Sequence, residues 1–300
     1  MWNETEFINR FRLTKGTVTQ LLEKIEHMLV PHIVRNNPIS PMNQLLMTLR
    51  FYACDSFYLT IGDFGSVHKS TAGKIINKVT LAIARPRFIN LPNTPDAIVN
   101  EQQNFFNISR FPRVIGAIDG THVRIQSPSG NNAEVYRNRK GYFSLNVQVV
   151  ANAEHKILDI VARWPGSAHD SNIFDHSNIK FKFENGEMGN GVLLGDSGYP
   201  LRKYLLTPLA NPQTQAENLY NESHIRTRNV VERTFGIWKR RFPILSMEIR
   251  SEITLAQNIV AVAVLQNIAC EQNDRMPEEI EDVIINEEHN IPMLEMILII

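Results

Sequence analysis

Near residue 113 the hydrophobic period of this chain changes from about 3.6 to about 2, and that change constrains the fold more than any other feature. Before it, apolar residues recur at helical spacing. Phe7, Phe11, Val18, Leu21, Leu22 and Ile25 make one stripe, and Leu45, Leu46, Leu49 and Tyr52 a second. Ala72, Ile75, Ile76, Val79 and Ile83 make a third, with Lys69, Lys74 and Lys78 off its face. Thr14 or Thr17 suits a helix cap. The stretch RPRFINLPNTPD (85–96), with three prolines, reads as a linker. After it, YFSLNVQVV alternates, with Phe143, Leu145, Val147 and Val149 on one face and Ser144, Asn146 and Gln148 on the other. That pattern predicts a strand with one face packed. ILDIVARW reads as its hairpin partner across the turn ANAEHK. VIGAIDGTHVRI, GVLLGDSGY and YLLTPL read as three more strands, and residues near 170–182, 215–241 and 254–272 as helices. Strands followed by strand–helix alternation predict an α/β domain with a mixed sheet.

Composition narrows the class. The longest apolar run, IVAVAVL at 259–265, falls well short of the ~20 residues a membrane helix needs. MWNETEF carries early acids and no apolar segment of a signal peptide. The two cysteines, Cys54 and Cys270, make no disulfide framework and no CxxC zinc motif. A soluble intracellular protein without a membrane partner is expected. The net charge of zero conceals an asymmetry: residues 271–300 hold nine acids and one base, leaving 30 bases against 22 acids elsewhere. A basic body of this kind fits a polyanion partner, and it equally fits an ordinary solvated surface.

Two strands end alike, in an apolar run followed by Asp: VIGAIDG gives Asp119 and VLLGDSG gives Asp196. An Asp before a glycine is commonly a turn residue. In an open α/β sheet, however, ligands bind just beyond strand ends, so two such residues on neighbouring strands would converge. Two carboxylates in one place need a shared proton or a cation. Mg2+ or Mn2+ suits them, since hard cations take oxygen ligands and commonly bridge carboxylates to phosphates. A third acid, Glu232, lies in RTRNVVERTFGIWKRRFPIL, where seven bases and two acids fall between 223 and 250. Its plain reading is an i, i+4 pair with Arg228; the sharper one is a third ligand where metal and phosphate meet.

The blocks IDGTHVRI, YRNRKGYFSLNVQVV, WPGSAHDSNIF, LLGDSGYPL and NVVERTFGIWKRRFPIL, in that order, closely resemble the DDE domain of Harbinger/PIF-type transposases. They resemble still more closely the nucleases domesticated from those transposases. The resemblance covers about 105–270 in detail and the helical N-terminus loosely. It implies a ribonuclease H-like mixed sheet flanked by helices, preceded by a helical region, with Asp119, Asp196 and Glu232 as the catalytic and metal-binding triad. Asp170, in SAHDSNIF, falls on another acid of the family pattern; it is a metal ligand, an N-cap, or both. His169 beside it is a candidate phosphate contact or a plain hydrogen-bonding histidine. The chain divides into a helical region at 1–92, a nuclease domain at 93–272 and an acidic tail at 273–300. One departure stands out: Leu265-Gln266-Asn267 replaces the Leu-His-Asn that the resemblance leads one to expect.

The implied activity is two-metal cleavage of DNA phosphodiester bonds with a divalent cation, Mg2+ or Mn2+, as cofactor. Arg228, Arg233, Lys239 and Arg240 are candidates for holding phosphates. Arg137, Arg139 and Lys140 in YRNRKGY either contact the DNA backbone or form a solvated loop. LTIGDFGSVHKSTAGKIINKV resembles a helix-turn-helix with GDFG as the turn and Lys69, Ser70, Lys74 and Asn77 toward a groove. In related transposons a separate Myb-like protein commonly supplies sequence recognition and nuclear import, so the implied location is the nucleus, with the cytoplasm also open. Two other classes are weighed: a domesticated DNA-binding or protein-interaction module that no longer cuts, and a two-carboxylate glycosidase, which the basic surroundings of Glu232 disfavour.

Overall fold

The computed structural model describes residues 2–30, 38–54, 57–85, 88–130, 133–249 and 255–274. The acidic tail beyond 274, its terminal MLEMILII, Arg250, Thr254 and part of the proline-rich linker lie outside the described residues. In chain order the first helices are α1 (Glu4–Phe11), α2 (Lys15–Leu29), α3 (Pro41–Cys54), α4 (Tyr58–Phe64), α5 (Lys69–Ile83) and α6 (Pro95–Ser109). Then come β1 (Val114–Arg124), β2 (Ser144–Ala151), β3 (Ile157–Pro165), α7 (Asp170–Asp175) and α8 (Asn178–Glu184). The chain ends with β4 (Val192–Leu194), β5 (Leu205–Leu206), α9 (Gln215–Arg241) and α10 (Leu255–Glu271). It forms two compact units. One takes the described residues up to 88 with 123–128 and 237–274; the other takes 89–122 and 129–236.

The first unit is helical, as the 3.6 period predicts. Asn3 accepts from the Glu6 amide and Glu6 reaches back to the Asn3 amide, a reciprocal cap on α1. Thr14 caps α2 by accepting from the Thr17 amide. The stripe expected to run through Phe7 and Ile25 is therefore two helices, parted where Arg12 turns left-handed at φ 66°. α10 packs on α5, so residues expected within the nuclease domain cluster with the N-terminal helices. A buried polar chain joins α3, α5 and α10: the Tyr52 and Thr80 hydroxyls lie 2.6 Å apart, and Thr80 donates to Asn258 Oδ1 at 3.2 Å. Between α4 and α5 the turn is Gly65–His68, three residues later than GDFG suggested. Gly62, Asp63 and Phe64 stay helical, and the Val67 amide donates to Gly62 O at 2.8 Å to close the turn behind them. Among the described residues no helix is long and apolar enough to cross a membrane.

The second unit is a mixed five-stranded sheet, ordered β3-β2-β1-β4-β5 and flanked by helices, the ribonuclease H-like arrangement the resemblance implied. β2 and β3 are antiparallel, as expected for a hairpin, while β4 runs parallel to both β1 and β5. β1, carrying VIGAID, is the middle strand. Two points differ from the sequence reading. β2 is buried along its whole length, where one wet face was expected. Val150 enters an apolar cluster with Ile115, Ile118, Phe174 and Tyr199, and Ala151 enters another with Phe105, Phe111, Val114 and Val231. Cover on both faces leaves its polar side chains nowhere to point but into protein or a site. Second, the linker already contains a helix start. Thr94 caps α6 with Pro95 just inside it, and Ile98 and Phe105 are buried.

Candidate active site

The parallel register of β1 and β4 sets the site. Ala117 pairs with Leu194, so Asp119 and Asp196 each stand two residues beyond the same rung. Neighbouring strands lie about 4.8 Å apart, which brings both aspartates to one level, just past the carboxyl end of β4 and midway along the longer β1. Asp119 Oδ1 accepts from the Gly120 amide at 2.7 Å, and Asp196 Oδ1 from the Gly198 amide at 2.9 Å. Each carboxylate is thus fixed by its own backbone.

Asp170 enters from the first turn of α7, a helix whose cap residue is His169 rather than Asp170. Its carboxylate lies against the backbone of β1. A Cβ on Gly120 would stand 2.9 Å from Asp170 Cγ and 3.0 Å from Asn146 Oδ1, so glycine is required for this approach. Asn146, from the supposed wet face of β2, is 3 % exposed. Its Nδ2 donates to Asp170 Oδ1 at 2.8 Å and to Ala168 O at 2.9 Å, while its buried Oδ1 has no hydrogen-bond partner. The sequence carried a signal for Asn146, a polar residue amid apolar alternation, but alternation alone assigns it to solvent. The buried Tyr199 hydroxyl is likewise without a partner. Burial drives its pKa well above the ordinary value, and the charges of Asp170, Asp119 and Asp196 add to the rise.

Arg228, on α9, closes the group. Its Nη1 donates to Asp119 Oδ2 at 3.1 Å and its Nη2 to Glu232 Oε1 at 2.5 Å. The two contacts differ in weight. Arg228 and Asp119 are 14 % and 17 % exposed, whereas Glu232 is 53 % exposed. An exposed i, i+4 pair contributes about 0.3–0.5 kcal/mol; a hydrogen-bonded charge pair shielded from water contributes more. Burial pushes the Asp119 carboxyl up to about 6, against the Gly120 amide and Arg228, and Asp196 and Asp170 push it further up. Among the described residues no three or more His, Cys, Asp or Glu side chains are gathered closely enough to hold an ion as they stand.

A polar cavity of about 350 Å³ opens beside the carboxylates, lined in part by Asp170, Asp196, Asn146, His122, Arg139 and His169. An Arg139 guanidinium nitrogen lies 2.8 Å from His169 Nδ1, which fixes the imidazole beside Asp170. His122 Nδ1 lies 3.0 Å from Ser144 Oγ, which also accepts from Asn138 Nδ2. The structure thus brings Asp119, Asp170, Asp196, Arg228 and Glu232 into one neighbourhood, with Arg139 and His169 on its rim. Arg137 is engaged elsewhere, donating to Glu134 and standing over the Phe143 ring at 4.4 Å. Lys140 and Arg233 are exposed. Lys69, Lys74, Lys239 and Arg240 belong to the helical unit.

Residues 118–267, half the chain, match the family model described as DDE superfamily endonuclease. This chain belongs to that family. A rat protein named "Putative nuclease HARBI1" is 35 % identical over 248 residues, covering 79 % of this chain and 69 % of its own length. The human protein of that name is 34 % identical over the same coverage. "Protein ALP1-like" of Arabidopsis thaliana is 25 % identical over 272 residues, 85 % of this chain and 66 % of its own. No solved structure matches the chain. The resemblance to Harbinger-derived nucleases read from five short blocks therefore holds over most of the molecule. The family's nuclease region, as matched, contains all four acids of the site.

Proposed function

We propose that this chain is a divalent-metal-dependent DNA endonuclease in which Asp119, Asp196 and Glu232 form the acidic triad and Asp170 is a further metal ligand. The observation that carries the reading is the common level of Asp119 and Asp196, each two residues past the last paired rung of β1 and β4, with Asp170 held against the same stretch of backbone. The donor set fits the cation: four carboxylates and the unpartnered Oδ1 of Asn146 are all oxygens, the chemistry of Mg2+ or Mn2+ rather than zinc. Bound divalent ions would supply acidification of a water and neutralisation of the charge that builds on the leaving 3′ oxygen.

The chain's own residues do the rest. The Gly120 and Gly198 amides and the Asn146 amide each hold one carboxylate oxygen, so the acids are oriented before any ligand arrives. Arg228 and Arg233 hold the scissile or neighbouring phosphate, and Arg139 and Lys140 steady the flanking strand. Sequence recognition by a separate Myb-like protein, and residence in the nucleus, belong to the same proposal and rest on the family resemblance.

The test is nicking of supercoiled plasmid in Mg2+ or Mn2+ by the wild type and by Asp119→Asn. The wild type should nick, and the variant should be slower by about 100-fold or more, the loss of several kcal/mol of charge stabilisation. Equal nicking by both proteins would exclude this site. Retained duplex binding without nicking in any divalent metal would instead make the chain a domesticated DNA-binding module.

A further inference from the structure

Arg228 stands where a cation is expected. Each of the three aspartates has one oxygen held by a neutral donor: Asp119 by Gly120, Asp196 by Gly198 and Asp170 by Asn146. Among the described residues, no such donor reaches the second oxygens of Asp170 and Asp196. The second oxygen of Asp119 is taken by Arg228, and the same guanidinium holds Glu232. One planar cation therefore joins two acids from different elements, β1 and α9, through two different nitrogens. A metal ion that used both acids would compete with the guanidinium for those lone pairs.

We propose that Arg228 is an internal counter-ion for the carboxylate site, which a divalent cation displaces, and that the released guanidinium then binds a DNA phosphate. The proposal rests on the metal-dependent reading above. Three features support it. The guanidinium carries one positive charge among four carboxylates, so it satisfies the site only in part. Its link to Glu232 is solvent-exposed and cheap to break. Its fork of donors fits a phosphate as well as it fits a carboxylate, so the charge freed at one partner is used at the next. Metal and DNA should consequently bind with positive coupling through this one side chain, and linkage makes that coupling reciprocal.

The experiment uses the full chain with Arg228→Met and Arg228→Lys, and reads binding rather than cleavage. Mn2+ alone is titrated by calorimetry. A short duplex is then titrated with and without Ca2+, on the expectation that Ca2+ binds without supporting cleavage. Arg228→Met should bind Mn2+ about 10-fold more tightly than the wild type, because no internal pair must be broken. Its duplex affinity should gain little from Ca2+, while that of the wild type gains about 10-fold or more. Arg228→Lys pairs with one carboxylate at a time and should fall between the two for Mn2+, which keeps the test alive should the Met variant fail to fold. Equal or weaker Mn2+ binding by both variants would overturn the proposal and leave the metal-dependent reading standing. Absence of Mn2+ uptake by every protein, wild type included, would overturn both.

Discussion

Gly120 decides how near Asp170 comes to Asp119. Gly120→Ala should displace the Asp170 carboxylate and cost about 1–3 kcal/mol of stability, as overpacking does; urea denaturation with an unchanged m-value would register it. Asp119 carries a second prediction. Its carboxyl is pushed up to about 6, so below that pH a proton holds the oxygens a metal would take. Mn2+ affinity, measured by titration between pH 5 and 8, should be level above about 6.5 and fall by up to about 10-fold per unit below 6. Asp119 and Asp196 were legible in the sequence because an apolar run that meets an acid is visible as a string, although only β4 stops there and β1 continues past Asp119 to Arg124. Asn146 and Gly120 were not. What makes Asn146 a site residue is the helical cover on β2, and what makes Gly120 necessary is a side chain 50 positions downstream.

Among the elements, β3 contains a group whose effect has a definite sign. Asp159 is pushed by burial up to about 6 from 3.8, against Lys182, and its Oδ2 is buried without a partner. An acid that ionises more readily in the unfolded chain weakens the fold above its native pKa and leaves it unaffected below the unfolded one. Asp159→Asn should therefore raise stability at pH 7.5 by about 1–3 kcal/mol and leave it nearly unchanged at pH 4, as thermal melting at the two pH values would report. The helices and strands themselves were largely readable from period, and α9 and β1 carry the acids where the sequence put them. α6 escaped because its Thr-Pro-Asp start looks like a prolyl linker until Ile98 and Phe105 are seen to be buried. The turn before α5 falls later than its glycines indicate, because Gly62 and Gly65 both suggest a bend and the helix makes it only at the second.

For the molecule as a whole, three buried groups respond to acid with opposite signs. His224 is held neutral by burial, its pKa lowered to about 4, while Nε2 donates to Leu206 O at 3.0 Å. Stability dependent on it is lost as pH falls from about 6.5 toward 4. The penalties at Asp119 and Asp159 are relieved across roughly the same window. These contributions therefore oppose one another over that window, and His224→Gln, which removes one of them, should melt higher relative to the wild type as pH drops. The division of the chain also has a consequence in time. The N-terminal helices end at Ile83, but α10, against which Thr80 is buried, begins at Leu255. At about 5–20 residues per second a ribosome needs roughly 10–35 s to make the stretch between them. The nascent helical unit spends that interval without the flank that α10 covers, while the carboxylate-bearing sheet is completed behind it.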